Sequence, residues 1–412
     1  MNVKAKIEKE VRQILNRPLI LNRRFLDDEQ LIRAEQVAVL EEIFNANVRD
    51  REIREISAHF APVLRNDHPV HLALWGKTGT GKTLTTIYFL NLLADMCRKR
   101  NIPVRHVQLN LATPQPCFRA LNDLACLLNA CKRYRKGISL EELMGRIETA
   151  LADFRGYLIL FVDEVDNVRR EQDTFLAFLI RRLPQRIPAK LILVFASNRL
   201  NWMEHLDPRV QSFLKVNELI FEPYDAIDLQ RILNIRVEKA LRPGAVRPGV
   251  IEKIAALSSR DHGDARKAVA LLARSASLAE KTGTAVTLKA VDHAAECIEQ
   301  DKYITMIRTA PRQLQAALAA AINASRATRG TTTNTGQVYE AYQRYCRRVG
   351  LRALAGRAFG DLLAELDMYA FLHARVQSRG RYGRTREIQI DLPDALITKI
   401  YDTILLNFDT PG

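Results

Sequence analysis

The chain has 412 residues, more than one hydrophobic core ordinarily serves, and at roughly 150 residues per domain it should hold two or three. Hydrophobic residues make up 47% and charged residues 26%, ordinary globular usage that excludes wholesale disorder. Lys plus Arg number 62 against 47 Asp plus Glu, a net charge of +15 that favours an acidic partner, nucleic acid first, over a solvated basic surface with none.

The six cysteines (Cys97, Cys117, Cys126, Cys131, Cys297, Cys346) show no C-x-x-C and no paired spacing. That pattern points to reduced, mostly buried thiols in a cytoplasmic protein, and away from a disulfide frame or zinc site. Met1 to Arg12 mixes Lys, Glu and Arg and reads as no signal peptide. The longest apolar runs, Tyr157–Val162 and Leu191–Ala196, fall far short of the ~20 residues a membrane helix needs, so no membrane partner is expected.

In chain order, residues 1–18 read as a charged helix or tail. Residues 19–222 alternate strand-like and helical patterns, the mark of an α/β domain with a parallel sheet. Its strand candidates are Val70–Trp75, Val104–Leu109, Tyr157–Val162 and Leu191–Ala196, short and nearly continuously apolar as strands covered on both faces should be. Residues 223–303 read as helices over Ile227–Leu241, Pro248–Leu257, Gly263–Lys281 and Leu288–Gln300. Residues 304–412 begin with helices over Arg312–Ser325, Gly336–Val349 and Ala355–Met368 and continue into a Gly-rich basic hairpin. Thr328–Thr335 reads as the clearest exposed loop.

Gly76-Lys77-Thr78-Gly79-Thr80-Gly81-Lys82-Thr83 fits G-x-x-x-x-G-K-[ST] between an apolar strand (His71–Trp75) and a helix (Leu84–Met96). Glycines let backbone N–H groups curl round phosphate oxygens, and the helix N-terminus adds a favourable dipole. Lys82 is expected to reach the β/γ-phosphates of ATP, and Thr83 to ligate Mg²⁺. The apolar strand ending in Asp163-Glu164 places acids beside that loop. Asp163 is expected to hold Mg²⁺ through water and Glu164 to polarise an attacking water, although a strand end capped by solvated acids has the same look. A third strand ends in Ser197-Asn198, where Asn198 could orient water or serve as a turn residue.

On the helix over 355–368, Phe359, Leu362, Leu363 and Leu366 form one apolar stripe and leave Arg357 in the first turn, facing solvent. The hairpin runs from Leu372 to Ser378, through Arg379-Gly380-Arg381-Tyr382-Gly383-Arg384, and back over Thr385 to Ile390. Between Arg375 and Arg386 stand five arginines (Arg375, Arg379, Arg381, Arg384, Arg386) and no acid. Arg381 and Tyr382 at the tip suit a minor groove, whose negative potential attracts guanidinium groups. A solvated charge run is the bland alternative.

In these residues the chain resembles an AAA+ ATPase, and within that group the archaeal initiator family related to the origin recognition complex large subunit and the cell-division-control protein that loads the replicative helicase. The match spans roughly residues 20–392. Leu206-Asp207-Pro208-Arg209-Val210-Gln211-Ser212 resembles the family's arginine-finger segment, which implies Arg209 as a finger acting across subunits. Phe221-Glu222-Pro223-Tyr224-Asp225-Ala226 is similar to its strand-to-lid junction and implies Tyr224 beside the nucleotide. Gly263-Asp264-Ala265-Arg266-Lys267-Ala268 resembles its second sensor and implies Arg266 on the phosphates. Arg33-Ala34-Glu35-Gln36 is a looser echo of its N-terminal box. The basic hairpin resembles the wing of its winged-helix domain, although Arg357 is followed by Ala358 where relatives often carry a second Arg. Thr113–Asn129, with Arg119, occupies the place of an extra DNA-contacting helix, and packing explains its apolar positions as well.

The resemblance implies a tail (1–18), an AAA+ core (19–222), a helical lid (223–303) and a C-terminal winged-helix domain (304–412). It implies an ATP-dependent initiator of weak ATPase activity that binds origin DNA, recruits the replicative helicase and self-associates on DNA. The rival readings are a transposition or plasmid-maintenance ATPase and a nucleotide-gated winged-helix regulator.

Overall fold

The computed structural model describes residues 18–27, 41, 44, 48–113, 115–131, 137–169, 172–328, 333–378 and 384–409. They fall into two compact units divided between Val291 and Asp292. The charged stretch 1–17, Arg33–Gln36 and the hairpin tip Arg379–Gly383 lie outside the described residues.

In the first unit α1 (Asp50–Phe60) leads into β1 (His71–Trp75), α2 (Lys82–Lys99) and β2 (Val104–Asn110). Then come α3 (Cys117–Leu127), α4 (Leu140–Ala150), β3 (Tyr157–Asp163), α5 (Gln172–Ala177), β4 (Lys190–Ser197), α6 (Pro208–Phe213) and β5 (Val216–Ile220). The five strands pair in parallel in the order β2-β3-β4-β1-β5. Parallel strands buried on both faces must be apolar at every position, and all seven residues of β3 are buried. Leu158, Leu160 and Val162 enter the core on one side of the sheet, while Tyr157, Ile159 and Phe161 enter the core on the other.

The four strands read from the sequence are present, with ends shifted by a residue. β5 escaped that reading because it is an edge strand with polar Asn217 and Glu218 and one buried side chain, Leu219, so its apolar signal is weak. The order puts β1 between β4 and β5, and the carboxyl ends of β1, β3 and β4 open on one side. In open α/β sheets that side is where ligands bind.

The lid consists of α7 (Ala226–Ala240), α8 (Val250–Arg260), α9 (Ala265–Thr282) and the start of α10 (Leu288–Thr309). Asp225 and Asp264 cap α7 and α9 by accepting backbone N–H groups of the first turn. The segment around Leu19–Leu26 docks on these helices. The Leu19 and Ile20 amides donate to Glu280, and Arg236 donates to the Phe25 carbonyl at 2.9 Å.

In the second unit α10 runs on to Thr309, past the expected end at Gln300, and is followed by α11 (Arg312–Ala327), α12 (Thr335–Arg348) and α13 (Gly356–Met368). A hairpin of β6 (His373–Ser378) and β7 (Arg384–Gln389) and then α14 (Asp394–Asp409) complete it. The expected exposed loop 328–335 is corrected at its end. Thr333 and Asn334 form a short strand on β7, Thr333 is buried, and Asn334 caps α12 through a reciprocal pair with Gln337. The stripe on α13 packs as expected for Phe359, Leu363 and Leu366, with Leu362 half-buried, and leaves Arg357 exposed. α14 went unread although Leu396, Ile400 and Ile404 repeat every four residues and all three are buried.

Candidate functional site

The loop after β1 turns on glycines that neighbouring side chains require. Gly79 and Gly81 hold φ of +78° and +85°. A Cβ on Gly79 would overlap the Asp264 carboxylate, and one on Gly81 the Tyr224 hydroxyl. The lid therefore presses on the phosphate loop, and the Ala265 amide donates to the Gly79 carbonyl at 3.2 Å. Lys82, at the start of α2, turns its ammonium back over the loop. It donates to the Gly76 and Lys77 carbonyls at 2.7 and 2.9 Å and to Asn198 Oδ1 at 2.9 Å. Burial pulls this lysine down to about 8, the nearby Asp163 carboxylate opposing.

Asp163 closes β3 and accepts the Thr83 hydroxyl at 2.7 Å. Burial pushes its carboxyl up, while the Thr83 hydrogen bond and the Lys82 charge hold it down. Glu164 follows with φ +54°, a left-handed turn that swings its carboxylate off the strand axis. Burial, then the Asp163 charge, raises it, and Asn167 Nδ2 donates to it at 2.8 Å. Arg266 adds positive charge that favours the ionised form of both acids. The site thus sets a fixed ammonium and a guanidinium against two acids in a half-dry setting, an arrangement suited to stabilising charge on a transferring phosphoryl group.

The hydroxyl of Thr83 and the carboxylate of Asp163 converge as hard oxygen donors, the set a Mg²⁺ ion takes when phosphates and waters complete its octahedron. No cluster of three or more His, Cys, Asp or Glu side chains that could hold a metal ion occurs among the described residues.

A cleft joins these groups to the lid. Of the expected nucleotide residues, Thr78, Gly79, Thr80, Gly81, Lys82, Thr83, Asp163, Glu164, Asn198, Tyr224 and Arg266 line it. Gly76 and Lys77 belong to the loop but not to the lining, and Lys77 is exposed with its ammonium 3.3 Å from His262. Arg209 stands apart from the cleft, exposed on α6, where Asp207 caps the helix through the Arg209 amide.

The sequence reading missed the far end of the cleft, where Phe44, Val48, Arg49, Ile232 and Arg236 line it. No motif marks these residues. Ile232 and Arg236 sit four apart on α7, one helical face, which is the trace they leave in the sequence.

In the second unit Arg375 is exposed on β6, across the hairpin from Glu387. Arg386 sits half-buried on β7 and donates to the Gly360 carbonyl of α13 at 2.8 Å, so its guanidinium ties the hairpin to that helix. Arg384 pairs with Ser378 at the head of the ladder. Arg379, Arg381 and Tyr382 lie outside the described residues. Arg357 stands exposed in the first turn of α13. Cys117–Leu127 is helical as expected, with Leu121, Leu124 and Ala125 buried, so packing accounts for its apolar face.

Comparison with known proteins follows the same division. A family profile described as an AAA domain matches residues 65–203, the Cdc6 AAA+ ATPase-type lid domain matches 230–296, and the CDC6 C-terminal winged helix domain matches 305–400. The ORC1-type DNA replication protein of Pyrococcus abyssi is 34% identical over 389 residues, covering 90% of this chain and 92% of its own. ORC1-type DNA replication protein 1 of Archaeoglobus fulgidus is 32% identical over 352 residues, with 85% of each covered. The Aeropyrum pernix ORC1 protein, solved in complex with DNA, superposes with a TM-score of 0.71 at 32% identity, covering 86% of this chain and 92% of that one. The fold is shared with Cdc6p of Pyrobaculum aerophilum at a TM-score of 0.56 and 20% identity, over 95% of this chain and all of that one. A nucleotide-binding AAA+ core, a Cdc6-type lid and a winged-helix unit in one chain, matched along nine-tenths of its length, place this protein in the family of ORC1-type DNA replication proteins.

Proposed function

We propose that this chain is an ATP-gated replication initiator that binds duplex origin DNA through its winged-helix unit and uses slow ATP hydrolysis as a switch. One observation carries the reading: a phosphate loop with acids and a polar residue at adjacent strand ends, in the same chain as a basic winged hairpin. The family supports it, since relatives are DNA replication proteins and one is solved with DNA. The domain limits follow as 19–222 for the core, 223–303 for the lid and 304–412 for the winged helix.

Within the cleft, residues 78–83 and Lys82 bind the phosphates, and Thr83 with Asp163 hold Mg²⁺. Bound there, the ion would neutralise phosphate charge. Glu164 accepts a proton from the attacking water, with Asn198 holding Lys82 in line. Arg266 reads the phosphates from the lid, and Arg209 serves a neighbouring subunit's site when copies assemble on DNA. Arg357, Arg375, Arg379, Arg381, Tyr382 and Arg384 meet DNA, and Arg386 holds the wing on α13. Recruitment of the replicative helicase, in the cytoplasm, completes the role.

The test is a map of the chain's DNA contacts across its own genome. A few discrete sites, with helicase enrichment beside them, are expected. Uniform coating would point to a transposition or maintenance ATPase, and promoter-bound sites without helicase to a regulator.

A further inference from the structure

One side chain that the nucleotide chemistry does not use touches both the phosphate loop and the lid junction. Arg49 is 5% exposed and lines the cleft at its far end. Its guanidinium meets the Glu52 carboxylate at 2.7 Å. It also donates to the carbonyls of Thr80 in the phosphate loop, at 2.8 Å, and Glu222 before the lid, at 2.7 Å. It lies 3.9 Å from the centroid of the Tyr224 ring, in the lid junction. Its Nε remains buried without a hydrogen-bond partner beside the cleft.

A buried guanidinium left with an unsatisfied donor costs about 1–3 kcal/mol, so its place needs a reason beyond packing. Its partners supply one. Tyr224 donates its backbone N–H to the Gly263 carbonyl at 3.3 Å, and a Cβ on Gly263 would overlap the Tyr224 carbonyl. Gly263 in turn leads directly into Asp264 and Arg266, at the start of α9. An unbroken line of contacts thus runs from Thr80 through Arg49 and Tyr224 to the turn that presents Arg266. Thr80 lies in the phosphate loop, and Glu222 and Tyr224 lie in the segment that leads from β5 into the first lid helix.

We propose that Arg49 is a positioning residue that transmits occupancy of the nucleotide cleft to the lid, setting where Arg266 stands. The proposal rests on the cleft being the nucleotide site. Arginine is required because a planar fork reaches two carbonyls and a carboxylate while stacking on a ring, and a lysine ammonium cannot do all of these at once. Contiguity alone does not demonstrate coupling, so the test measures it directly.

The experiment is amide hydrogen exchange on the full chain with and without ADP, for wild type, Arg49→Lys and Tyr224→Leu. Bound fractions are matched by titration with a fluorescent ADP analogue. In wild type, ADP should slow exchange in the loop 78–83 and also in 222–226 and 263–267. At matched occupancy both variants should keep the loop protection and lose at least tenfold of the lid protection. Should Arg49→Lys fail to fold, Tyr224→Leu, which keeps the arginine, decides alone. Lid protection equal to wild type in the folded variants overturns the proposal. So does loss of loop and lid protection together at matched occupancy, which would make Arg49 plain structural support. Lys82→Ala run in parallel separates the two readings. If it binds ADP as wild type does, the nucleotide-site reading fails first and the proposal with it.

Discussion

The cleft and the winged hairpin are both proposed as sites for phosphate, and they are built in opposite ways. The cleft buries its charges. Lys82 is held by three acceptors, Asp163 by a hydroxyl, and the glycines by the side chains that press on them. Among the described residues the hairpin exposes Arg375 on β6 and ties down Arg386 on β7, with its bond to Gly360. A buried, pre-oriented charge acts on one phosphate at one geometry and gains from low dielectric. Exposed arginines act on a line of phosphates through counterion release and tolerate sliding. On the proposed function, chemistry is therefore expected in the first region and adjustable affinity in the second.

The largest test of this contrast uses Arg209, outside the cleft. If Arg209 completes a neighbour's site, Arg209→Ala should cut turnover on multi-site DNA by roughly 10³-fold or more and leave nucleotide affinity nearly unchanged. Turnover per subunit that is independent of protein concentration, and equal in the mutant, makes Arg209 a surface residue.

Next comes Glu164→Gln, which should keep nucleotide binding and lose about 10²–10⁴ in hydrolysis. Single-turnover assays with bound ATP measured separately would show it. Wild-type hydrolysis in a folded mutant would remove Glu164 as the base and break the assignment of chemistry to the cleft.

In the hairpin the effects should be smaller and divided. Arg375→Ala should weaken binding to origin and random duplex alike and lower the slope of log K against log salt by about one. Arg357→Ala should instead relax sequence preference by roughly 1–3 kcal/mol at one position. Arg386→Ala should lower the stability of the winged-helix unit, by about 1–2 kcal/mol, because its guanidinium serves a carbonyl of α13. Titrations at several salt concentrations, with urea unfolding alongside, separate the three. A salt slope unchanged in Arg375→Ala would take that strand out of the DNA interface.

A further effect concerns the sheet that carries the cleft. His71 opens β1 and accepts the Leu193 amide at 3.3 Å. Burial, with the charges of His68 and His59, lowers it from 6.5 to about 4. The folded state holds the ring neutral while the unfolded chain takes up a proton below 6.5. Its stabilising contribution is therefore complete above pH 6.5 and is lost as pH falls from there towards 4, about 2 kcal/mol of it by pH 5. Urea midpoints at pH 7 and pH 5 should differ by less in His71→Gln than in wild type. An equal difference would put the acid sensitivity elsewhere.

Much of the cleft was legible because its chemistry is local in sequence. A phosphate loop must be consecutive residues between a strand and a helix, and an acid pair must end an apolar strand. Arg49 was not legible. Its partners Thr80 and Glu222 lie 31 and 173 residues away, and nothing in its own neighbourhood distinguishes it from the exposed Arg51. The edge strand β5 was unreadable for a related reason, since its polar pattern is explained by which side of the sheet it occupies.

The sequence by itself determined the nucleotide loop, the apolar strands, the lid helices and the basic hairpin, because each is fixed by glycine, periodicity or charge within a short window. Tertiary structure decided which charges face each other. It brought Asn198 onto Lys82 across 116 residues, set Asp264 and Tyr224 against the loop glycines, and gave Arg386 an internal partner while leaving Arg375 to solvent. Those outcomes depend on strand order and on helix packing over long sequence separations, where burial and close contact settle what a local pattern leaves open.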